Sequence, residues 1–81
     1  MSGWLAKPRK EPYTAAGIAR VPCVRCGGQA LHQWQVCADQ NRYRALCLEC
    51  DIALNRLVLE WANDPSAKEK IEAYERKCRT A

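Results

Sequence analysis

The chain lacks a long apolar run, a glycine-rich phosphate loop, any low-complexity tract and any internal repeat beyond two Cys-x2-Cys pairs. Without an apolar stretch of about 20 residues, no membrane span is expected. Without the loop there is no ready cradle for nucleotide phosphates. Histidine occurs once, at position 32, and no Ser/His/Asp set accompanies it. That argues against acid–base and nucleophilic catalysis, which need a base beside the reacting group. Met1-Ser2-Gly3-Trp4 is followed closely by Lys7, Pro8, Arg9 and Lys10. This opening does not read as a secretory signal. The expected compartment is the cytoplasm, where thiols stay reduced.

What the chain does have is cysteine, six in 81 residues. A domain this short is marginal alone and often depends on a disulfide, a metal or a partner. In a reducing compartment, paired cysteines read as metal ligands. The formal net charge is +4, with +3 on residues 1–22, +1 on residues 23–50, and six basic against six acidic groups on residues 51–81. A zinc ion with four thiolates contributes a net charge of about −2. The mild basic bias that remains permits nucleic-acid contact without demanding it.

Three parts are visible along the chain. Residues 1–22 contain Pro8, Pro12 and Pro22 with little periodicity, and read as an extended or flexible basic arm. Residues 23–62 form a cysteine module. It opens with the tight turn Cys23-Val24-Arg25-Cys26-Gly27-Gly28, where glycine lets backbone amides approach sulfur. Leu31 to Cys37 and Arg42 to Leu46 alternate, with turn chemistry at Asp39-Gln40-Asn41 between them. This predicts a hairpin with Trp34 and Val36 on a packed face and Arg42 and Arg44 on a polar one. Glu49 to Ala62 is helical in composition, with Leu54, Leu57, Val58 and Trp61 at helical spacing. Ile52 and Leu59 widen that apolar surface. Asn63 reads as a stop, Asp64 as an N-cap and Pro65 as a first helical position. Residues 63–81 then form a second helix, with Ala67, Ile71, Tyr74 and Cys78 as its stripe against the module.

The chemistry lies in Cys23, Cys26, Cys47 and Cys50, two Cys-x2-Cys pairs separated by twenty residues. Two residues between cysteines let one turn place both sulfurs on one metal, and a tetrahedral, borderline-soft ion takes four of them. One structural zinc is therefore expected. Cys37, Cys78 and His32 are the remaining candidate ligands, and packing roles suit them better. The second pair runs straight into a helix, whose N-terminal amides favour thiolate. The fold class expected is a small α+β metal-bound domain: a knuckle, a β-hairpin and a helix in treble-clef order, followed by a second helix.

The pattern Cys23-x2-Cys26, Trp34, then Leu46-Cys47-x2-Cys50 before a helix resembles the GATA-type treble-clef zinc finger, with a longer hairpin. In style the chain is also similar to the small zinc-finger proteins of phages and prophages. The GATA resemblance implies a tryptophan packed under the zinc and DNA contact by the helix and hairpin loop.

The leading expectation is a small non-enzymatic regulator that binds DNA or a DNA-associated protein. Its nucleic-acid contacts would be Arg25, Arg42 and Arg44, with Lys7, Arg9 and Lys10 of the arm. The alternative is a protein adaptor or inhibitor acting through the apolar face of helix 49–62, including Ile52 and Leu59, with a homodimer as one form of it. A relative of HNH nucleases is the remaining alternative, on Leu46-Cys47-x2-Cys50 with Asn55 nearby. A closed four-cysteine site leaves no position for a catalytic water.

Overall fold

The computed structural model describes residues 12–80. Among them the chain runs through one helical turn, α1 (Ala15–Ile18), a strand β1 (His32–Val36) and a strand β2 (Arg42–Leu46). Two long helices follow, α2 (Leu48–Trp61) and α3 (Ala67–Thr80). This is a small α+β chain built on a two-stranded antiparallel hairpin.

Local chemistry sets each boundary. The Cys47 side chain caps α2 by accepting from the Cys50 amide at 3.4 Å. At the other end Asn63 takes a left-handed φ of 55°, a conformation that ends helices and that asparagine tolerates. Asp64 then accepts from the Ser66 amide at 2.8 Å and pairs with Lys70, which starts α3. Lys70 first, then that amide, lower the Asp64 carboxyl pKa. In the hairpin, a 3-10 turn over Cys37–Asp39 leads into Gln40 and Asn41, both left-handed with φ 56° and 63°. The turn expected at Asp39-Gln40-Asn41 therefore forms, with two strained positions in succession.

The arm expected over residues 1–22 is not extended where it is described. Thr14 caps α1 by accepting from the Gly17 amide at 2.9 Å, and Ile18 is buried with Ala30 and Ala45. Tyr13 and Val21 pack against that cluster. The Gln33 side chain grips the segment like a neighbouring strand: its Oε1 accepts from the Tyr13 amide at 2.8 Å, and its Nε2 donates to the Tyr13 carbonyl at 3.0 Å. Burial of Ile18, rather than periodicity, turns this stretch inward.

The hairpin faces also differ from expectation. Trp34 pairs with Arg44 and Val36 with Arg42, so these four side chains share one face. The other face carries Gln33, Gln35, Tyr43 and Ala45 and is covered by α1 and its flanks. Neither face is simply polar, because the N-terminal segment lies on one and the helices approach the other.

Candidate metal centre and its surroundings

Cys23 and Cys26 sit in the turn before β1, and Cys47 and Cys50 flank the start of α2. Their sulfurs all lie within 4.8 Å of one another, with Cys26 Sγ and Cys47 Sγ 3.6 Å apart. A tetrahedral zinc–thiolate centre, with bonds of about 2.3 Å, has sulfur–sulfur edges of about 3.8 Å. The four-sulfur set therefore fits one metal ion. Cys23 and Cys50 are buried, Cys47 is half-buried and Cys26 faces solvent, so the centre lies at the protein surface with its back to the interior.

Backbone amides surround the sulfurs. The Arg25 amide donates to Cys23 Sγ and the Gly28 amide to Cys26 Sγ, both at 3.4 Å. The turn can bring them there because Gly27 takes a φ of 82°, open to glycine and strained for other residues. The charge pattern is that of a crowded thiol group. The Cys23 thiol is lowered to about 6, first by the Cys47 amide. The Cys50 thiol is pushed up to about 12, first by its contact with the Cys47 side chain and then by burial. Four neighbouring sulfurs cannot all ionise without a cation, and a bound metal ion removes that conflict.

Leu46 and Leu54 pack against the buried ligands Cys23 and Cys50. Trp34 does not take that place. It borders a depression of about 240 Å³ with Val58, Leu59, Ile71 and Tyr74, between hairpin and helices. The spare thiols also lie elsewhere: Cys37 is exposed in the hairpin turn and Cys78 is on α3.

Of the nucleic-acid candidates, Arg42 and Arg44 share one hairpin face. Arg25 is exposed in the knuckle, while Arg42 is exposed at the turn end of β2. Arg44 is ion-paired with Asp39. Lys7, Arg9 and Lys10 lie outside the described residues. On α2, Ile52 is only 4% exposed and belongs to the interior, and Leu59 is half-buried. Ile52 therefore does not lie on an open partner surface, while Leu59 borders the depression with Trp34, Ile71 and Tyr74. The open apolar side chains of α2 are Leu57, Val58 and Trp61, the last 69% exposed. Beside them runs a groove of about 390 Å³ with Leu46, Ala53, Leu54 and Leu57 along it and Arg25 at its edge.

A polar clasp, not expected from the sequence pattern, lies beside the cysteines. Asp51 is buried, 3% exposed, one residue after a ligand cysteine. The Tyr74 hydroxyl donates to its Oδ2, and His32 Nδ1 lies 3.2 Å from the same oxygen. Burial first, and the carboxylate second, raise the Tyr74 pKa, which keeps the phenol a donor. The clasp ties α3 and β1 to the first turn of α2. The signal available was an acid lodged between Cys50 and Ile52, with Asn55 one turn later on the same side.

Comparison with protein-family models, with curated proteins and with solved structures finds no match for this chain. No described helix is long and apolar enough to cross a membrane.

Proposed function

We propose that this chain is a small non-enzymatic regulator in which one structural zinc holds a treble-clef module, and that its working surface docks a protein. Zinc is the ion that four thiolates at tetrahedral spacing suit best. The order of knuckle, hairpin and ligand-bearing helix supports the treble-clef reading, and a closed ligand set leaves the metal a scaffold. The observation that carries the docking role is the exposed row Leu57, Val58 and Trp61 beside an apolar groove. Exposed aromatic anchors next to a concave apolar surface are the usual makings of a protein interface.

A photo-crosslinking residue at position 57, in the native cell, tests this reading. A discrete protein adduct is expected that Trp61→Ala abolishes, with none from a control at Arg76. Adducts to nucleic acid alone, or none at all, would overturn it.

A second reading, a regulator that binds DNA, rests on Arg25 and Arg42, which are exposed and have no ion-pair partner among the described residues. Fluorescence anisotropy with duplex and single-stranded DNA checks it. Affinity should fall steeply with added salt and with Arg25→Ala and Arg42→Ala.

A further inference from the structure

The cysteine centre is open along one edge, and we propose that this edge is a thiol-oxidation site, where a hydroperoxide closes a Cys26–Cys47 disulfide and the metal is released. The inference rests on the structural-zinc reading of the centre. Three observations carry it. The four sulfurs differ in access: Cys26 faces solvent and Cys47 is half-buried, while Cys23 and Cys50 are 3% and 6% exposed. The two accessible sulfurs are also neighbours, 3.6 Å apart. The third is the lack of a side chain over Cys26. A Cβ at Gly28 would stand 3.5 Å from Cys26 Sγ, so glycine there leaves that sulfur uncovered. Oxidant-sensitive cysteines are accessible thiolates with a second sulfur poised beside them. Cys37 is exposed too, but it belongs to no sulfur cluster among the described residues.

The chemistry balances with hydrogen peroxide as oxidant. The Cys26 thiolate attacks one peroxide oxygen, the O–O bond breaks, and hydroxide leaves a sulfenic acid behind. Cys47 Sγ then attacks that sulfur and displaces a second hydroxide, which closes the disulfide. Two protons from solvent turn both hydroxides into water. The sulfur pair gives up two electrons and the peroxide takes them. Cys23 and Cys50 remain as the two buried thiols, too few ligands to hold a tetrahedral ion. The bridge keeps the knuckle tied to the start of α2, and a thiol reductant reverses it.

The test uses the zinc-loaded full chain carrying Cys37→Ser and Cys78→Ser, with the unsubstituted chain in parallel. Hydrogen peroxide is added, zinc release is followed with a chromogenic indicator, and free thiols are then alkylated. Cleavage after Arg25 separates Cys23 from Cys26, and cleavage after Glu49 separates Cys47 from Cys50. Mass spectrometry should find residues 26–42 joined to residues 45–49, with Cys23 and Cys50 alkylated and one zinc lost per disulfide. Dithiothreitol with added zinc should restore the original zinc content. Gly28→Val should bind zinc fully and release it several-fold more slowly, since Gly28 holds no positive φ and its new Cβ meets the sulfur at ordinary contact. Zinc retained at peroxide levels that oxidise Cys37 overturns the inference. So do bridges within the Cys-x2-Cys pairs, or an unchanged rate in Gly28→Val. A chain that holds no zinc before peroxide is added fails earlier, at the zinc reading itself, and takes this inference with it.

Discussion

At the scale of single residues, Asp51 shows how few groups hold the two halves together. Its carboxylate is buried, and it is matched by Tyr74 from α3 and His32 from β1. Removing a donor from a buried carboxylate costs more than one ordinary hydrogen bond. Tyr74→Phe should therefore lower the stability of the metal-loaded chain by about 1–3 kcal/mol. Urea unfolding followed by circular dichroism measures this. Combining it with Asp51→Asn should cost less than the two changes added together, since they remove one shared interaction.

The clasp also predicts a pH effect. The Tyr74 pKa is raised in the fold, so the folded chain keeps a proton that the unfolded chain gives up at about pH 10. The contribution is whole below that pH and is lost as pH rises above it. Tyr74→Phe should flatten the alkaline fall in stability. A tyrosinate absorbance titration should show one of the three tyrosines ionising later than the rest. None of this is legible in the sequence. Tyr74 stands out there only as an apolar stripe position, and its partners are 23 and 42 residues away. No local spacing records a contact of that range.

At the scale of elements, what can be read in the sequence follows how local each device is. The Cys-x2-Cys turns and the Asn63 stop act within a few residues and are readable, as is the Asp64 side-chain acceptor, although the helix begins at Ala67 and not at Pro65. The hairpin itself is readable from alternation. Its faces are not, because alternation does not say which layers cover a strand pair. Nor is α1, one turn between prolines held by the burial of Ile18, although Thr14 four residues earlier is a usable cap signal. The hairpin turn yields a test. Gln40 holds a left-handed conformation at φ 56°, where a Cβ is unfavourable and glycine is at ease. Gln40→Gly should stabilise the chain by about 0.5–1 kcal/mol, less than the full strain because glycine is freer when unfolded. Thermal unfolding should show a rise of several degrees. A fall would mean that the Gln40 side chain contributes contacts beyond its backbone conformation.

At the scale of the whole molecule, the small interior makes the proposed metal the expected source of most of the stability. Among the described residues, eight apolar or cysteine side chains are buried, and two of them, Cys23 and Cys50, belong to the four-cysteine cluster that could hold a metal ion. One of the two core clusters consists of those two cysteines and Leu46. Stripping the metal turns the centre of that cluster into four crowded thiols. It also frees the turn that holds β1 and the cap that starts α2. Structural zinc sites supply about 10–16 kcal/mol of apparent binding free energy near pH 7, comparable to the whole stability of a small domain. Elemental analysis should find one zinc per chain. Titration with a strong chelator should unfold residues 23–62 in step with metal release, and excess zinc should restore the helical signal. Cys50→Ser should behave like the chelated protein. Cys37→Ser and Cys78→Ser should keep full stoichiometry, since neither sulfur belongs to the cluster. The remaining cluster, Ile18, Ala30 and Ala45, is too slight to preserve the hairpin once β2 loses its anchor at Leu46. Helical signal that survives complete metal removal would locate the stability in the α2–α3 pair instead, and would reduce the four cysteines to a surface ornament on a helical hairpin.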